Sequence, residues 1–390
     1  MKVLMINVVC GIRSTGRICT DLAAALEAQG HEVKIAYGRE NVPSSYEKYA
    51  VRIGSDVDVK LHGLRARLSD GCGYGSIHAT RRFLEWVRKY DPDVIHLHNI
   101  HGYYINVKLL FDYLRTCKKK IIWTLHDCWA FTGHAAYCEA AGCERWIAGC
   151  YDCPKLGDYP SSFIDRSAIN WKKKREIFTE IPNLSIVTPS CWLSNLVKKS
   201  FLSDYPVKVV YNGINTEIFH PTKSDVKERL GLSEKRIALG VAALWEERKG
   251  LKDFEKLAEC LDDSYQIVLV GLSKAQIKML PDGIVGIVRT NSPQELAELY
   301  SAADVFINPT YEDNYPTTNL EAIACGTPVI TYASGGSPEG ASLFGCAVEK
   351  GDVDALVEQI KNSTQFVKQN YDLSSERTIQ EYLRLYSIST

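Results

Sequence analysis

Carboxylates, a threonine pair and a glycine turn stand between two apolar runs in the stretch NPTYEDNYPTTNLEAIACGTPVITY, residues Asn308–Tyr332. The β-rich run Asp304–Asn308 predicts a buried strand that Pro309 ends, and Pro316 with the threonines after it predicts a helix start. A helix that begins at the carboxyl end of a parallel strand directs free N–H groups and its positive dipole end toward that edge, where phosphates bind. The stretch therefore predicts a phosphate-binding floor.

Three further groups of polar residues follow other predicted strands. The glycine loop Gly11–Arg17 joins the first strand to the first helix, but it lacks the G-x-G-x-x-G spacing, so an NAD site is not expected. His126 lies in Thr124–Asp127, at the end of a buried run, and the basic pair Arg248 and Lys249 follows a strand further on. Each group would lie at the carboxyl edge of a parallel sheet, where ligands bind in such folds.

Four of the chain's 13 cysteines are closely spaced, in the pattern C-x4-C-x6-C-x2-C. Their thiols could form a tetrahedral zinc site that holds an irregular insertion at about 128–160, or they could be free or joined in a disulfide. Cys128 and His134 are near enough in sequence to be substitute ligands. The four cysteines are Cys138, Cys143, Cys150 and Cys153.

These groups require sheets that position them. Short apolar runs alternate with helical patterns on both sides of the loop Tyr211–Pro221, and this rhythm predicts two doubly wound, parallel sheets. The facing strand ends of two such domains would form the ligand cleft. The predicted strands are Lys2–Val9, Glu32–Gly38, Val94–Leu97, Ile121–Leu125 and Leu184–Thr188 before the loop, and Ala238–Ala242, Gln266–Val270, Ile284–Val288, Val305–Asn308 and Pro328–Tyr332 after it.

Composition limits the classes of function. With 390 residues, 45% hydrophobic and 24% charged, the chain is expected to form two globular domains. Its net charge of −1 argues against a nucleic-acid partner. No run of about 18 apolar residues predicts a membrane-spanning helix, and the N-terminal MKVLMINVV is expected to be a first strand rather than a signal peptide. The basic clusters Lys118–Lys120 and Lys172–Arg175 fit either a solvated surface or contact with an anionic membrane face.

The stretch Asn308–Tyr332 resembles the C-terminal signature of glycosyltransferase family 4, which comprises retaining GT-B glycosyltransferases. That pattern is a carboxylate, seven residues, a Glu and an A-x-G-T-P-V-I run, and here it consists of Asp313, Glu321 and ACGTPVI. The WAFTGH stretch and the cysteine-rich insertion are similar to the subgroup of bacterial surface-polysaccharide, colanic-acid-type glycosyltransferases. The resemblance covers essentially the whole chain.

The resemblance implies an α/β fold of the GT-B type, in which two Rossmann-like domains face a central cleft. Residues 1–207 would form the N-terminal acceptor domain with the cysteine-rich insertion, and residues 208–372 would form the nucleotide-sugar domain. Residues 373–390 would form a C-terminal helix that returns to the first domain. From the residues alone, the helical pattern Ser374–Leu385 could equally stay in the second domain.

The resemblance also implies roles for individual residues. Lys249 would neutralise the donor diphosphate, and His126 and Asp313 would contact the donor sugar, so these three are expected in the catalytic centre. The donor-binding residues would be Gly16, Arg248, Lys249, Arg289, Asn314, Tyr315, Pro316, Thr317, Thr318 and Glu321. The acceptor-binding residues would be Arg13, Arg17, Asn99 and His101, beside His96 and His98.

Two positions depart from the family's pattern. Asp313 stands where the family usually has Glu, and Glu312 lies beside it, so which of the two meets the sugar stays open. The family's usual Arg would fall at Leu244, and Arg248 is the nearest substitute. At the glycine loop, the arginines could serve an anionic acceptor or belong to the surface.

Together these features predict a retaining glycosyltransferase that moves a sugar from a nucleoside diphosphate sugar, expected to be a UDP-sugar, to a glycan or lipid-linked glycan in bacterial surface polysaccharide synthesis. The resemblance implies that catalysis requires no metal, so a structural zinc is the one metal to consider. The protein is expected in the cytoplasm, and peripheral contact with the inner membrane face stays open. The alternatives are a nucleotide-sugar epimerase of GT-B-like fold and a non-catalytic nucleotide-sugar-binding scaffold.

Overall fold

The computed structural model describes residues 1–387, and the chain divides into two compact units. Unit 1 comprises Met1–Val210 together with the C-terminal residues from Ile379 onward, and unit 2 comprises Tyr211–Thr378. The sequence placed the two divisions after residues 207 and 372, whereas the contacts place them after residues 210 and 378.

Unit 1 contains one parallel sheet of seven strands. The strands are β1 (Lys2–Ile6), β2 (Glu32–Tyr37), β3 (Ala50–Arg52), β4 (Val94–Leu97), β5 (Lys120–Thr124), β6 (Leu184–Thr188) and β7 (Val207–Val209). Their order across the sheet is β3-β2-β1-β4-β5-β6-β7. The five longer strands overlap the predicted ones, whereas β3 and β7 were not predicted because three residues are too few to show a period.

Six helices of unit 1 connect these strands. They are α1 (Arg13–Ala28), α2 (Asp56–Ser69), α3 (Ile77–Tyr90), α4 (Val107–Leu114), α5 (Ser167–Phe178) and α6 (Cys191–Lys199). Short 3-10 helices span Ser44–Tyr49 and Arg145–Ile147, the second within the cysteine-rich insertion.

The strands of unit 1 are buried on both faces of the sheet. In β1, Leu4 and Ile6 belong to one apolar cluster, while Val3 and Met5 belong to another. Because successive side chains of a strand point to opposite faces, the sheet separates two cores. This explains why the strands appear in the sequence as nearly continuous apolar runs.

Unit 2 contains a second parallel sheet, of six strands. The strands are β8 (Arg236–Val241), β9 (Tyr265–Val270), β10 (Ile284–Ile287), β11 (Val305–Asn308), β12 (Val329–Tyr332) and β13 (Gly345–Val348), in the order β10-β9-β8-β11-β12-β13. Five were predicted, and β13 was not. The helices are α7 (Val226–Arg229), α8 (Leu251–Cys260), α9 (Lys274–Ile277), α10 (Pro293–Ala302), α11 (Thr317–Ala324), α12 (Ser337–Ala341), α13 (Val353–Lys361) and α14 (Ser375–Tyr386), with 3-10 turns at Glu247–Lys249 and Ser363–Gln365.

The last helix, α14, begins in unit 2, and its residues from Ile379 onward belong to unit 1. There Tyr382 and Tyr386 are buried in the cluster that also contains α1. The Tyr386 hydroxyl lies 2.5 Å from His96 Nδ1, and the Tyr382 hydroxyl lies 3.1 Å from Thr124 Oγ1. Both hydroxyls are therefore used to satisfy polar atoms on β4 and β5.

The architecture is α/β, with two Rossmann-like parallel sheets, as the sequence predicted. All paired strands run parallel, so the carboxyl ends of each sheet lie at one edge. Among residues 1–387, no helix is both long and apolar enough to cross a membrane.

Candidate functional site

A lysine and an aspartate form a close ion pair at the carboxyl edge of the unit 2 sheet. β8 and β11 are neighbours in that sheet, so the 3-10 turn after β8 lies beside the loop after β11. Lys249 Nζ donates to Asp313 Oδ2 at 2.5 Å, and both side chains are 19% exposed. Two residues that the sequence assigned to the donor are thus brought into contact.

Two glycines permit this close approach of the loops. Gly250 has a φ of +73°, and a Cβ there would lie 2.3 Å from the Pro309 carbonyl oxygen. Gly335 has a φ of +58°, and a Cβ there would lie 1.8 Å from the Asp313 carbonyl oxygen. A side chain at either position would require the backbone to move, so backbone contacts fix the loops that carry the ion pair.

The structure distinguishes Glu312 from Asp313. Glu312 is buried, and its carbonyl oxygen accepts a hydrogen bond from Arg248 Nη1 at 3.2 Å. Asp313 faces Lys249, and its Oδ1 accepts a hydrogen bond from the Asn314 N–H at 2.9 Å. Asp313 is therefore the carboxylate that lies beside the ammonium group. At the position of the family's usual Arg, Leu244 is an exposed side chain.

The helix α11 begins beside this ion pair. Pro316 precedes its first turn, where Thr317 and Thr318 are partly buried. One turn further, Glu321 Oε2 accepts a hydrogen bond from the Tyr300 hydroxyl at 3.1 Å. Burial, and then the charge of Glu321, raises the pKa of Tyr300 well above its usual value, so the phenol stays protonated and can donate.

Three other residues assigned to the donor lie in different surroundings. Tyr315 is buried, and its ring packs 5.0 Å from the ring of Tyr211. Asn314 is also buried. Arg289 is exposed and follows β10, which β9 separates from β8. The structure therefore groups Lys249, Asp313 and α11, but it does not bring Arg289 to them.

In unit 1, two histidines contact each other at the carboxyl ends of β4 and β5. His98 Nδ1 lies 3.1 Å from His126 Nε2, and the two rings stack with centroids 5.4 Å apart. Burial is the main cause that lowers the pKa of His126 to about 4. The charge of Asp127 opposes this shift, and the charge of His101 adds to it. Burial likewise lowers the pKa of His98 well below its usual value. Both imidazoles are therefore neutral at neutral pH.

His101 pairs with the carboxylate next to His126. Its Nε2 lies 2.9 Å from Asp127 Oδ2, and its Nδ1 lies 2.9 Å from the Tyr159 hydroxyl. Burial pushes the pKa of Asp127 upward, but the charge and hydrogen bond of His101 and the N–H of Trp129 bring it below its usual value. Asp127 is thus held as a carboxylate that orients His101.

The structure contradicts the expectation that His96 lines an acceptor pocket with His101, whereas His98 lies beside His126. The His96 and His98 side chains are fully buried, and His96 is bonded to Tyr386 on one nitrogen and, at 2.8 Å, to Thr124 on the other. The error arose because a buried histidine with both ring nitrogens hydrogen-bonded cannot be distinguished by its local sequence from a histidine at the surface.

The residues of the first glycine loop do not all lie in one cluster. Gly16 is buried within α1, and its carbonyl oxygen accepts a hydrogen bond from the Gly11 N–H at 3.2 Å. Arg13 pairs with Glu40 at 2.6 Å and is largely exposed, as is Arg17. These contacts place both arginines at the surface of unit 1.

Asn99 is connected to this loop by Asn7, which the sequence analysis did not single out. The Asn99 N–H donates to Asn7 Oδ1 at 3.3 Å, and Asn7 Nδ2 donates to the Val9 carbonyl oxygen at 2.8 Å. Asn7 is fully buried, so it joins the ends of β1 and β4. A polar residue at the end of an otherwise apolar strand was the available signal.

Two family models cover most of the chain. The model described as Glycosyltransferase Family 4 matches residues 15–218, more than half of the chain, and the model described as Glycosyl transferases group 1 matches residues 235–365. The chain belongs to glycosyltransferase family 4. The protein is therefore a glycosyltransferase, as the sequence predicted.

Relatives of this family 4 protein include the colanic acid biosynthesis glycosyl transferase WcaC of Escherichia coli (strain K12), with 26% identity over 87% of this chain and 85% of WcaC. A second is the N,N'-diacetylbacillosaminyl-diphospho-undecaprenol alpha-1,3-N-acetylgalactosaminyltransferase of Campylobacter jejuni, which is 34% identical over 33% of this chain and 37% of that enzyme.

Solved structures show the same fold. Sucrose-phosphate synthase from Thermosynechococcus elongatus has a TM-score of 0.66 at 16% identity, covering 99% of this chain and 95% of that chain. Anabaena Alr3699/HepE in complex with UDP has a TM-score of 0.65 at 12% identity, covering 98% of this chain and 99% of that chain. The predicted GT-B fold class is confirmed.

A buried polar network, which the sequence did not predict, supports the start of α11 in this family 4 glycosyltransferase. Asn308 Nδ2 donates to Asn319 Oδ1 at 2.8 Å, and Asn319 Nδ2 donates to Ser337 Oγ at 3.1 Å. The Thr331 hydroxyl lies 2.7 Å from Ser337 Oγ and donates to the Asn308 carbonyl oxygen at 2.7 Å. The network joins β11, β12, α11 and α12, and so fixes where α11 begins.

Four of the five cysteines in the insertion are brought around one small cavity in unit 1, which they line together with His134. None of the four is in a disulfide. Burial raises the pKa of Cys150 to about 11, although the Gly133 N–H and Lys174 lower it. Among residues 1–387, no three His, Cys, Asp or Glu side chains are already arranged to hold a metal ion. The zinc prediction therefore rests on the shared cavity.

Proposed function

We propose that this glycosyltransferase is retaining, that it takes its sugar from a UDP-sugar, and that it acts on a glycan or lipid-linked glycan in bacterial surface polysaccharide synthesis. The observation that carries the proposal is the Lys249–Asp313 pair beside the first turn of α11. Three kinds of group needed for a sugar nucleotide lie together there: a fixed cation, free helix N–H groups and a carboxylate.

Each group has a task in the proposed reaction. The leaving diphosphate gains negative charge in the transition state, so a fixed Lys249 ammonium stabilises the transition state more than the ground state. The N–H groups of Thr317 and Thr318 would bind a phosphate oxygen at the helix N-terminus. Glu321, oriented by Tyr300, would accept hydrogen bonds from the ribose hydroxyls, and Asp313 would contact the sugar.

Retention would follow from departure and attack on the same face of the sugar, with a donor phosphate oxygen taking the acceptor's proton. In this scheme the bond from the anomeric carbon to the diphosphate breaks as the bond to the acceptor oxygen forms. The proposal requires no second carboxylate placed as in a glycosidase. His126, held by His98 at 3.1 Å as a neutral ring, would contact the transferred sugar.

The comparisons support the choice of donor and acceptor. HepE, which shares the fold, has been solved with UDP and with UDP-glucose. The name of WcaC refers to colanic acid biosynthesis, and the name of the Campylobacter enzyme contains a diphospho-undecaprenol sugar. A lipid-linked acceptor of this kind resides in a membrane, so the protein would need to approach one.

An exposed apolar stripe on α2 supports such an approach. Val57, Leu61, Leu64 and Leu68 are spaced along one side of the helix, and each is more than half exposed. Lone exposed apolar residues are common, but a contiguous stripe marks a contact surface. The exposed basic residues Lys60, Arg65 and Arg67 lie on the same helix, which suits an anionic lipid surface.

Thermal unfolding with a panel of UDP-, GDP- and ADP-sugars tests the donor. A ligand that binds only the folded protein raises its stability by RT ln(1 + [L]/Kd), so the correct donor should raise Tm in proportion to the logarithm of its concentration. Glu321→Ala should reduce this shift, while Glu259→Ala, an exposed carboxylate on α8, should leave it unchanged. An equal shift in both variants would exclude the proposed ribose contact.

Incubation with the identified donor and a synthetic polyprenyl-diphosphate sugar then tests transfer. The expected product keeps the anomeric configuration of the donor, which proton NMR of the new glycosidic linkage reports. An inverted linkage would contradict retention, and epimerisation of the donor without an acceptor would favour an epimerase.

A further inference from the structure

The cysteine-rich insertion of unit 1 encloses a cavity of about 20 Å³. A space of this size accommodates roughly one water-sized sphere. Its walls include one imidazole and four thiols, which are the side chains that bind zinc in proteins. They belong to His134, Cys138, Cys143, Cys150 and Cys153.

His134 is oriented as a ligand would be. Its side chain is 0% exposed, and its Nδ1 lies 2.6 Å from Asp70 Oδ1. Its other nitrogen, Nε2, is buried and has no hydrogen-bond partner among the described residues. An imidazole that donates Nδ1–H to a carboxylate presents a lone pair on Nε2, and this is the arrangement of most histidines that bind metals.

Leaving such a nitrogen buried and unpaired is costly. A buried polar atom without a partner destabilises the folded state, and no protein donor in the described chain reaches Nε2. Because Asp70 occupies Nδ1 and the ring borders the cavity, Nε2 is the atom left for a ligand within it.

One of the thiols has a backbone hydrogen-bond donor. The Gly133 N–H donates to Cys150 Sγ at 3.1 Å, as expected around a metal-bound thiolate. A Cβ at Gly133 would lie 2.7 Å from the Cys150 Cβ and 2.2 Å from the Ser167 carbonyl oxygen, so no larger residue fits there. Cys143 and Cys153 line the same cavity as Cys150.

A buried cation offsets the charge of such a site. Lys174 is fully buried, and its ammonium donates to the carbonyl oxygens of Trp129 at 2.6 Å and Thr132 at 3.0 Å. It interacts electrostatically with Cys150 and Asp70. Three thiolates, one neutral imidazole and Zn²⁺ carry a net charge of −1, and the Asp70 carboxylate adds a second negative charge, so the Lys174 ammonium offsets part of the total. Lys174 therefore belongs to the interior of unit 1, not to a surface cluster.

We propose that the insertion binds one zinc ion through His134 Nε2 and the thiolates of Cys143, Cys150 and Cys153, with Asp70 orienting the histidine. Because no three His, Cys, Asp or Glu side chains in residues 1–387 are placed to hold a metal ion, binding would have to move the ligands together, and it would release the three thiol protons to water. Four protein ligands close the coordination sphere, so the ion is structural and takes no part in glycosyl transfer.

Metal analysis of the full chain, purified under reducing conditions without chelators, is the first test. The expected content is about one zinc ion per chain, falling to less than about a tenth in Cys150→Ser and Cys153→Ser. Cys191→Ser and Cys260→Ser, which change exposed cysteines outside the insertion, should keep the full content. Native protein that neither contains zinc nor takes it up from added zinc chloride would overturn the proposal.

Cobalt substitution identifies the ligands if a variant folds poorly. The Co²⁺ form of the native protein should show thiolate-to-cobalt charge-transfer absorption and the intense visible bands of a tetrahedral site. His134→Ala should alter the visible bands while keeping the charge-transfer band, because it removes nitrogen and not sulfur. Cys138→Ser should leave both unchanged. A spectrum lost in Cys138→Ser and retained in Cys143→Ser would show that the assigned ligand set is wrong.

Discussion

At the residue scale, Lys249 is the side chain on which the proposed donor site depends most. Its ammonium is partly buried and lies 2.5 Å from Asp313, so it is held in one position before any charge develops. Electrostatic groups that are already oriented cost no reorganisation when the leaving group departs. Arg248, which bonds the Glu312 carbonyl oxygen, stabilises the loop next to it.

Replacing this ammonium tests its role. Lys249→Met should lower kcat by about 10²–10³-fold, the loss typical when one group that stabilises transition-state charge is removed. KM for the donor should change less, because the interaction strengthens in the transition state. Steady-state kinetics with the identified UDP-sugar measures both. Lys252→Met, an exposed lysine on α8, is the matched control, and equal losses in the two variants would argue against the assignment.

Buried neutral histidines make the stability of the protein depend on pH. Burial lowers the pKa of His96 to about 3 and that of His98 well below its usual value. In the unfolded chain both histidines have a pKa of about 6.5. Between these values only the unfolded state binds the protons. The stabilisation is therefore complete above pH 6.5 and declines as the pH falls.

Measuring the free energy of unfolding at several pH values tests this dependence. From pH 6.5 to 5, the free energy of unfolding should fall by up to about 1.4 kcal/mol per pH unit for each such histidine. His98→Gln should reduce this slope by the amount that one bound proton contributes. His78→Gln, which changes an exposed histidine, should leave the slope unchanged. Denaturant unfolding at several pH values measures the slope. Identical slopes in the native protein and His98→Gln would contradict a neutral, buried His98.

Sequence reasoning at this scale found residue types but not partners. It selected Lys249 and Asp313, yet the 2.5 Å contact between them depends on β8 and β11 being neighbours in the sheet. It placed His96 in a pocket, whereas Tyr386, 290 residues away along the chain, covers it. A local pattern carries no information about which distant element packs on it.

At the scale of elements, α2 has two unlike faces. His62 and Ala66 are buried against the rest of unit 1, while Leu61, Leu64 and Leu68 are exposed. Phe163 extends the exposed surface, because its N–H donates to the Arg67 carbonyl oxygen at 2.8 Å and its ring lies 5.8 Å from the Arg67 guanidinium. The apolar area therefore continues beyond the helix.

Vesicle binding tests the membrane contact. The protein should cosediment with vesicles of phosphatidylcholine and phosphatidylglycerol, and the double variant Leu64→Ser/Leu68→Ser should bind at least about tenfold more weakly, since each leucine loses its burial in lipid. Met279→Ser/Val367→Ser, which removes two exposed apolar residues of unit 2, is the matched control. Binding that is unchanged in the α2 variant would remove this helix from the contact.

The elements themselves were largely predictable. Buried parallel strands such as Val94–Leu97 and Leu184–Thr188 were predicted with their observed bounds, because continuous apolar runs identify them. The three-residue strands at Ala50–Arg52 and Val207–Val209 were not, since sheet neighbours and not local sequence decide whether such short segments are strands.

At the scale of the whole molecule, the proposed zinc site and the proposed donor site belong to different units. The cavity with His134 and the cysteines lies in unit 1, and the Lys249–Asp313 pair lies in unit 2. The zinc would stabilise the fold of unit 1 because the metal-bound state occurs only when the chain is folded. The donor contacts described in unit 2 do not include any residue of the insertion.

Metal removal should therefore separate stability from donor recognition. A chelator such as TPEN should lower Tm, and zinc but not magnesium should restore it. The further increase in Tm caused by saturating UDP should be similar with and without the chelator. Differential scanning fluorimetry measures both effects, and Cys153→Ser should be insensitive to the chelator. A native Tm that the chelator leaves unchanged would indicate that zinc does not stabilise unit 1.

The sequence alone determined the family, the two parallel sheets and most of the residues at their carboxyl edges, because apolar periodicity and a short motif are local properties. Only the tertiary structure decided which of these residues meet. It paired Lys249 with Asp313 and turned Glu312 inward. It also placed His134 beside cysteines whose spacing alone left zinc, free thiols and a disulfide open. The physical reason is that contacts between distant segments depend on strand order and packing, which no local pattern encodes.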